Sequence, residues 1–371
     1  MRKLLQKIFR RPVSWLALKV SSSPKREEVF SNLDSLLERI QKEKSGVPCP
    51  VPFDLNTGKF IILSDQHKGA KDFADDFRNT EKNYMNTLQY YYDNGFTFIN
   101  LGDCEELWES TPTAVVDKNR LTLLEEAQFL ASSRYYRIYG NHDLEWNYPI
   151  QQTLFLKPIF GPDLKIYEGL VLTTKYNDSE FTIFLSHGHQ GDRRSDGNAF
   201  SKWFVAAIWT PIQRFLEISV DVISDSFELV DTHNIMMYEW SATKNNLLFI
   251  SGHTHKPVFA SMDHMDRLAT QLEKAKADNN IELIKSIEEE IGRRKQEYAG
   301  KKLVKTMAKP TYFNTGCCCF SDGDLTGIEI ENGFIRLVKW KAGEDKSTRI
   351  ILEESPLFYL FDLISDKVAA G

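Results

Sequence analysis

No C-x-x-C pair occurs in this chain, and cysteine is scarce: Cys49, Cys104 and the run Cys317, Cys318, Cys319 are the five. An odd total without paired spacing argues against a zinc ribbon or a disulfide framework and for a reducing compartment. Long apolar runs are missing too. None approaches the roughly 18 to 20 residues needed to span a bilayer, and the short segment "VSWLALKV" is interrupted by Lys19, so a transmembrane helix is not expected. A cleaved signal peptide is the weaker alternative, and the expected location is cytoplasmic. There is no fixed-period repeat and no low-complexity tract.

Excess basic charge is absent from most of the chain. Residues 1 to 47 hold 11 Lys or Arg against 5 Asp or Glu, net +6; with −6 overall, the remainder carries −12. A body of that sign does not suit nonspecific binding to a nucleic-acid duplex. The first 20 residues carry six basic side chains and no acid, with Leu4, Leu5, Ile8 and Phe9 at helical spacing. That pattern suits a helix resting peripherally on an anionic membrane. A helix packed on the domain, or a frayed terminus, is the alternative.

What the chain does have is one pattern five times over. "FIILSDQH", "FTFINLGDC", "YYRIYGNHD", "FTIFLSHGH" and "LLFISGHTH" each run apolar residues into a polar cluster of Asp, Asn or His. Continuous apolar runs without polar alternation suit strands covered on both faces. The stretches between them, such as "NTEKNYMNTLQYYYDN" and "LTLLEEAQFLASS", are patterned as helices, so the expected class is α/β. In open α/β sheets ligands gather beyond the carboxyl ends of strands, so five clusters distant in sequence can meet in space.

The division expected is a basic helical extension over 1–47, a domain over 57–345 and a C-terminal segment over 346–371, with the loop "KSGVPCPVPFDLNTG" as the first boundary. Two helical insertions interrupt the domain. Residues 190–246 include the largely apolar "SKWFVAAIWTPIQRFLEISV", kinked near Pro211. Residues 263–309 form a charged helical hairpin turning at "ADNN", a solvated arm through which copies of the chain could associate. The tail pairs a strand with a hairpin turning at Asn332-Gly333.

Each cluster alone has an ordinary structural explanation, as an N-cap, a turn or a satisfied polar side chain. Together they supply Asp65, His67, Asp103, Asn141, His187, His253 and His255. That mixture of carboxylate, amide and imidazole suits manganese first, with iron, zinc or cobalt as alternatives, better than calcium or a thiolate-bound ion.

In that order, "DQH", "GDCEE", "GNHD", "SHGH" and "GHTH" meet the pattern of the calcineurin-like metallophosphoesterases, which the chain resembles over roughly residues 57 to 330 apart from the insertions. The resemblance implies two mixed β-sheets flanked by helices. It also implies one divalent ion on Asp65, His67 and His255, a second on Asn141, His187 and His253, and Asp103 bridging both. Two such ions about 3.5 to 4 Å apart can share a hydroxide and clamp the oxygens of an in-line displacement at phosphorus, so the expected reaction is hydrolysis of a phosphodiester or pyrophosphate. His142 is placed to protonate the departing oxygen or to stabilise the transition state, and by resemblance Glu106 orients it, a solvated acid of the "EELWE" run being the alternative for Glu106. His189, two residues beyond His187, is expected on the opposite side of an extended segment, in a supporting or solvent position.

The substrate is less constrained. "LGDCEELWE" lacks the Asp-Arg-Gly continuation of Ser/Thr protein phosphatases. Glu106 and Trp108 after Asp103 look more like the branch that cleaves the pyrophosphate of UDP-diacylglucosamine, where a helical lid covers acyl chains. Trp203, Phe204 and Trp209 would supply that lid here, and a lipid-linked or nucleotide-sugar substrate would follow; an ordinary core or dimer helix is the alternative for this segment. Two features depart from that branch: His142 stands where it often has Arg, and the 263–309 arm is not part of its pattern. A metal-dependent nuclease, a cyclic-nucleotide phosphodiesterase and a noncatalytic scaffold remain as alternatives.

Overall fold

Phe60 and Ile62 point into one apolar cluster, and Ile61 and Leu63 into another. The strand "FIIL" is apolar throughout because it serves two cores at once. A computed structural model describes residues 25–191, 227–263 and 309–365 apart from 45–46, 73–74 and 344–345, together with scattered residues between 268 and 291.

Helix α1 (Arg26–Gln41) leads into β1 (Val51–Pro52) and β2 (Phe60–Leu63). There follow α2 (Glu81–Asp93), β3 (Thr97–Leu101), α3 (Pro112–Lys118), α4 (Arg120–Ala131), β4 (Tyr135–Ile138) and, after short helical turns through residues 144–160, β5 (Ile166–Tyr167). The hairpin β6 (Gly169–Tyr176) and β7 (Ser179–Ser186) precedes α5 (Phe227–Ala242), β8 (Leu247–Ser251), β9 (Val258–Phe259) and β10 (Met262–Asp263). The last elements are β11 (Tyr312–Asn314), β12 (Leu325–Glu331), β13 (Phe334–Lys341), β14 (Thr348–Pro356) and α6 (Leu357–Ile364).

These strands form two mixed seven-stranded sheets, ordered β1-β6-β7-β8-β11-β9-β10 and β14-β13-β12-β2-β3-β4-β5. Within the second, β2, β3 and β4 are parallel neighbours; within the first, β7 and β8 are. The faces between the sheets pack Ile62, Ile99 and Leu101 with Leu172, Ile183 and Ile250. Outside the second sheet, Ile61, Leu63 and Phe98 meet Tyr84, Leu88, Leu123 and Phe129 of α2 and α4. Outside the first, Val171, Phe184 and Phe249 meet α1 and α5. The fold is therefore a four-layer α/β sandwich. Each large aliphatic side chain enclosed in it contributes about 1.5–3 kcal/mol.

Residues 26–41 of the N-terminal extension cover a sheet. Val29, Leu33, Leu36 and Ile40 fall on one helical face and are buried there beside Trp240. At the other end, β14 becomes an edge strand, and Leu357, Leu360, Phe361 and Ile364 of α6 enter the central core. The β12–β13 hairpin turns through Asn332 (φ 53°) and Gly333 (φ 77°), the two left-handed residues of a type I′ turn. In the arm, the described residues between 268 and 276 and between 281 and 291 are helical. Asn280 begins the second run, its side chain accepting from the Leu283 amide at 3.2 Å. Leu268, Ala275 and Ile287 form a small cluster of their own there. Trp203, Phe204 and Trp209 lie outside the described residues, as do the first 24.

Candidate metal centre

Five chain turns deliver the candidate ligands, and three of them do so by adopting a rare backbone conformation. Asp65, His67, Asp103, His253 and His255 all have φ between 48° and 71°. Non-glycine residues in the left-handed region cost on the order of 1–3 kcal/mol each, and such strain gathers at functional sites. The turns are lashed together across the two sheets. The Asp65 amide donates to Gly102 O at 3.0 Å, the His67 amide to Asp103 O at 2.9 Å, the Gly252 amide to His187 O at 3.0 Å, and the His253 amide to the Asp65 carboxylate.

Two of the motif glycines are required by close approach. A Cβ on Gly140 would stand 2.1 Å from Asp103 Oδ1, and one on Gly252 2.4 Å from Ser64 Oγ. No side chain fits in either place. Asp143 completes the "GNHD" turn by accepting from the Gly140 amide (2.6 Å) and the Cys104 amide (3.0 Å), pinning it to the Asp103 turn.

Asp65, His67 and His255 bring one ligand atom each within 4.8 Å of one another, and so do Asp103, His187 and His253. His187 Nδ1 donates to Leu101 O at 2.9 Å, which leaves Nε2 to face Asp103 Oδ2 at 3.0 Å without hydrogen-bond alignment. A ring nitrogen so placed against a carboxylate takes a positive charge, supplied by a proton on Nε2 or by a bound cation that displaces it. Burial pushes the His187 imidazole down, but the Asp103 and Asp65 carboxylates outweigh it and raise its pKa to about 9. Asp103 is driven up by burial and then well below the usual carboxylate range by His187 and His142. Likewise His67 Nε2 lies 3.1 Å from His255 Nε2, which itself lies 3.2 Å from Asp65 Oδ1. The Asn141 amide is buried with both polar atoms unpaired. These donors fit divalent cations of intermediate hardness.

Glu106 connects the centre to His142. Its Oε2 accepts from His142 Nδ1 at 2.6 Å and from His67 Nδ1 at 3.0 Å, so both imidazoles are turned to offer Nε2. Burial raises the Glu106 carboxyl, but the charge of His142 and the bonds from both imidazoles hold it at about 2. The His142 ring stacks on Trp108, centroids 4.5 Å apart, and the Trp108 indole donates to Asn141 O at 2.7 Å. The contact from Glu106 to His67 was not legible in the sequence, where the spacing pointed only to His142. His189 departs from the solvent alternative: it is buried, with its ring 5.5 Å from that of His187. Gly188, at φ 108°, breaks the extended geometry that would have sent the two side chains apart. Burial and then the neighbouring His187 lower the His189 pKa to about 3. His233, on α5, reaches the same wall, its Nε2 2.8 Å from Gly188 O.

Behind the centre lies a charged network the sequence did not announce. Lys68, Glu105, Glu126 and Arg137 are all fully buried. Lys68 Nζ lies 2.7 Å from Glu126 Oε1 and 3.4 Å from Glu105 Oε1, and Arg137 pairs with Glu105 directly. Tyr84 and Tyr135 each donate to Glu126 at 3.0 Å, and Trp146 to Glu105 at 2.7 Å. The two positive and two negative charges balance, and they join the His67 and Asp103 turns to β4 and α4. Lys68→Met is expected to cost about 3–5 kcal/mol in denaturant unfolding, because it strands a carboxylate in the core. A loss under about 1 kcal/mol would mean the network is not the brace described.

A site of carboxylates, imidazoles and an amide at the strand ends of two facing sheets defines a candidate two-metal centre. The model of the calcineurin-like phosphoesterases matches residues 58–257, and the chain belongs to that family; its class is that of a metal-dependent phosphoesterase. Among solved structures, it is similar to a dimetal phosphatase from Danio rerio (12% identity, TM-score 0.34, covering 80% of this chain and 100% of that one). It is also similar to Vacuolar Protein Sorting 29 from Cryptosporidium parvum (13% identity, TM-score 0.30, 81% and 98%) and to a single mutant of Vps29 from Entamoeba histolytica (14%, 0.28, 79% and 98%). A search of curated proteins finds no match to the sequence.

Proposed function

We propose that the protein hydrolyses a phosphodiester or pyrophosphate bond, with Asp65, His67 and His255 holding one divalent cation, Asn141, His187 and His253 a second, and Asp103 shared. The observation that carries this reading is convergence: Asp65, His67 and His255 on one side and Asp103, His187 and His253 on the other each bring ligand atoms within 4.8 Å of one another, beside the buried Asn141 amide whose two polar atoms are unpaired. When bound, manganese or a similar ion supplies Lewis acidity to phosphoryl oxygens and makes water nucleophilic near neutral pH. The chain's own contribution is proton handling. Ionised Glu106 favours the imidazolium of His142, whose Nε2 proton passes to the departing oxygen. Trp108 keeps that ring in one plane by stacking.

For the substrate we infer an acylated nucleotide sugar such as UDP-diacylglucosamine. Trp108 after Glu106 and the apolar Trp203–Ile218 stretch support it, and the basic first 20 residues suit contact with the anionic membrane where such a lipid resides. Trp203, Phe204 and Trp209 would cover the acyl chains, each buried methylene contributing about 0.8 kcal/mol. The charged arm offers a surface for self-association.

One assay series tests both levels. After chelation, hydrolysis of a chromogenic phosphodiester should disappear and return with manganese or cobalt. Full activity in the chelated protein would remove the metal mechanism. Under one metal condition, the acylated substrate should then be cleaved faster than its deacylated analogue, cyclic nucleotides or single-stranded DNA. Preference for either nucleic-acid substrate would overturn the lipid reading and leave the phosphoesterase class intact.

A further inference from the structure

His255, Cys317 and Cys319 also bring one ligand atom each within 4.8 Å of one another. This group borders the carboxylate–imidazole centre but has different donor chemistry. Its geometry follows from the turn after β11. Asn314 Nδ2 donates to Gly252 O at 2.6 Å, the Gly316 amide to Asn314 Oδ1 at 2.9 Å, and the Thr315 amide to Ser251 O at 3.0 Å, so the turn is fastened to the one that carries His253 and His255. The Cys318 amide then donates to Asp65 O at 3.1 Å, while its thiol is turned into the apolar layer outside the second sheet. With Cys318 facing the core, Cys317 and Cys319 fall together on the other side of the segment, where both meet His255. Cys317 is buried, and His255 and Cys319 are partly exposed, which leaves an approach from solvent.

We propose that His255, Cys317 and Cys319 form a binding site for a thiophilic cation of the zinc or cadmium kind. Thiolates select such ions over manganese, whose preference is for oxygen donors. Zn–S bonds of about 2.3 Å in a tetrahedral site set two sulfurs roughly 3.8 Å apart, within the observed spacing, and two sulfurs with one imidazole leave a fourth position for water. A neutral imidazole has a single lone pair, so His255 serves one ion at a time. A soft cation on the cysteine side therefore withdraws His255 from Asp65 and His67, and thiophilic metal inhibits the enzyme. That inhibition rests on the assignment of His255 to the catalytic pair; the site itself does not.

The test is a cadmium titration of the full chain in saturating manganese, reading the ultraviolet sulfur-to-cadmium charge-transfer absorption and the cadmium retained after gel filtration. One cadmium per chain with the absorption of two thiolates is expected. Cys319→Ser should lower the affinity by more than about 100-fold, beyond what loss of an outer-shell partner reaches. Cys318→Ser should keep the signal. Cys319 is partly exposed, so its variant decides the matter even if substitution of buried Cys317 disturbs folding. Absence of the band in the unaltered protein, or an undiminished band in Cys319→Ser, overturns the site whatever the enzyme's activity. A two-thiolate band accompanied by zinc inhibition of phosphodiester hydrolysis supports both site and competition. The same band without inhibition supports the site and removes His255 from the catalytic pair.

Discussion

Asp103→Asn is expected to lower turnover on the order of 10⁴-fold or more, beyond the 10²–10⁴ typical for loss of a general acid, and to release bound metal from both positions. The substitution is nearly isosteric. The side-chain oxygen can still accept from the His142 amide, as Asp103 Oδ1 does at 2.8 Å, so the "GNHD" turn should keep its shape. What disappears is the negative charge on the atom facing His187 Nε2. That charge is the largest influence raising the His187 pKa, so the imidazole should also titrate lower in the metal-free variant. Elemental analysis of the purified variant, with imidazole titration by NMR, checks both parts. A variant that retained its metal and most of its activity would mean that Asp103 is not shared between two cations.

The ligand-bearing turns could be read from the sequence because their signal is local. An apolar strand that breaks into Asp-x-His or Gly-His-x-His announces its own end, and the strands at Phe60, Thr97, Tyr135, Ser179 and Leu247 are where the pattern put them. Their distribution over two facing sheets is not local. It depends on which strands pair, and it entered the sequence reading only through family resemblance. The buried network was hidden for a related reason. Glu105 and Glu106 look like one acidic run, yet neighbouring side chains in an extended turn diverge, so Glu105 enters the core toward Arg137 while Glu106 faces the two imidazoles. Glu126 sits within a helix, where an acid reads as solvated, and its burial is explained by partners from other elements, Lys68, Tyr84 and Tyr135. Of the two positions open to His189, supporting or solvent, the structure has the buried one beside His187; only the expected opposite side fails, because period-two alternation presumes an extended chain, which Gly188 interrupts.

His142→Ala is expected to lower kcat by about 10² to 10⁴ while leaving the metal content unchanged. The alternative is concrete, because His142 also lies within 4.8 Å of ligand atoms on His67 and Asp103 and could itself hold an ion. Two observations favour the proton-transfer role. Its ring is fixed flat against Trp108, and its side chain is 22% exposed, whereas His187 on the candidate ligand wall is fully enclosed. Glu106→Gln provides the contrast. It weakens the hold on His142 and on His67 together, so it should reduce both turnover and metal affinity, with the metal loss confined to the ion that His67 helps to bind. If the two residues act as one unit, a His142→Ala, Glu106→Gln double variant saturated with manganese should be barely slower than His142→Ala alone. Metal analysis beside single-turnover rates separates these outcomes. Loss of metal from His142→Ala in proportion to its activity would make His142 a ligand and leave the departing oxygen without the donor assigned to it.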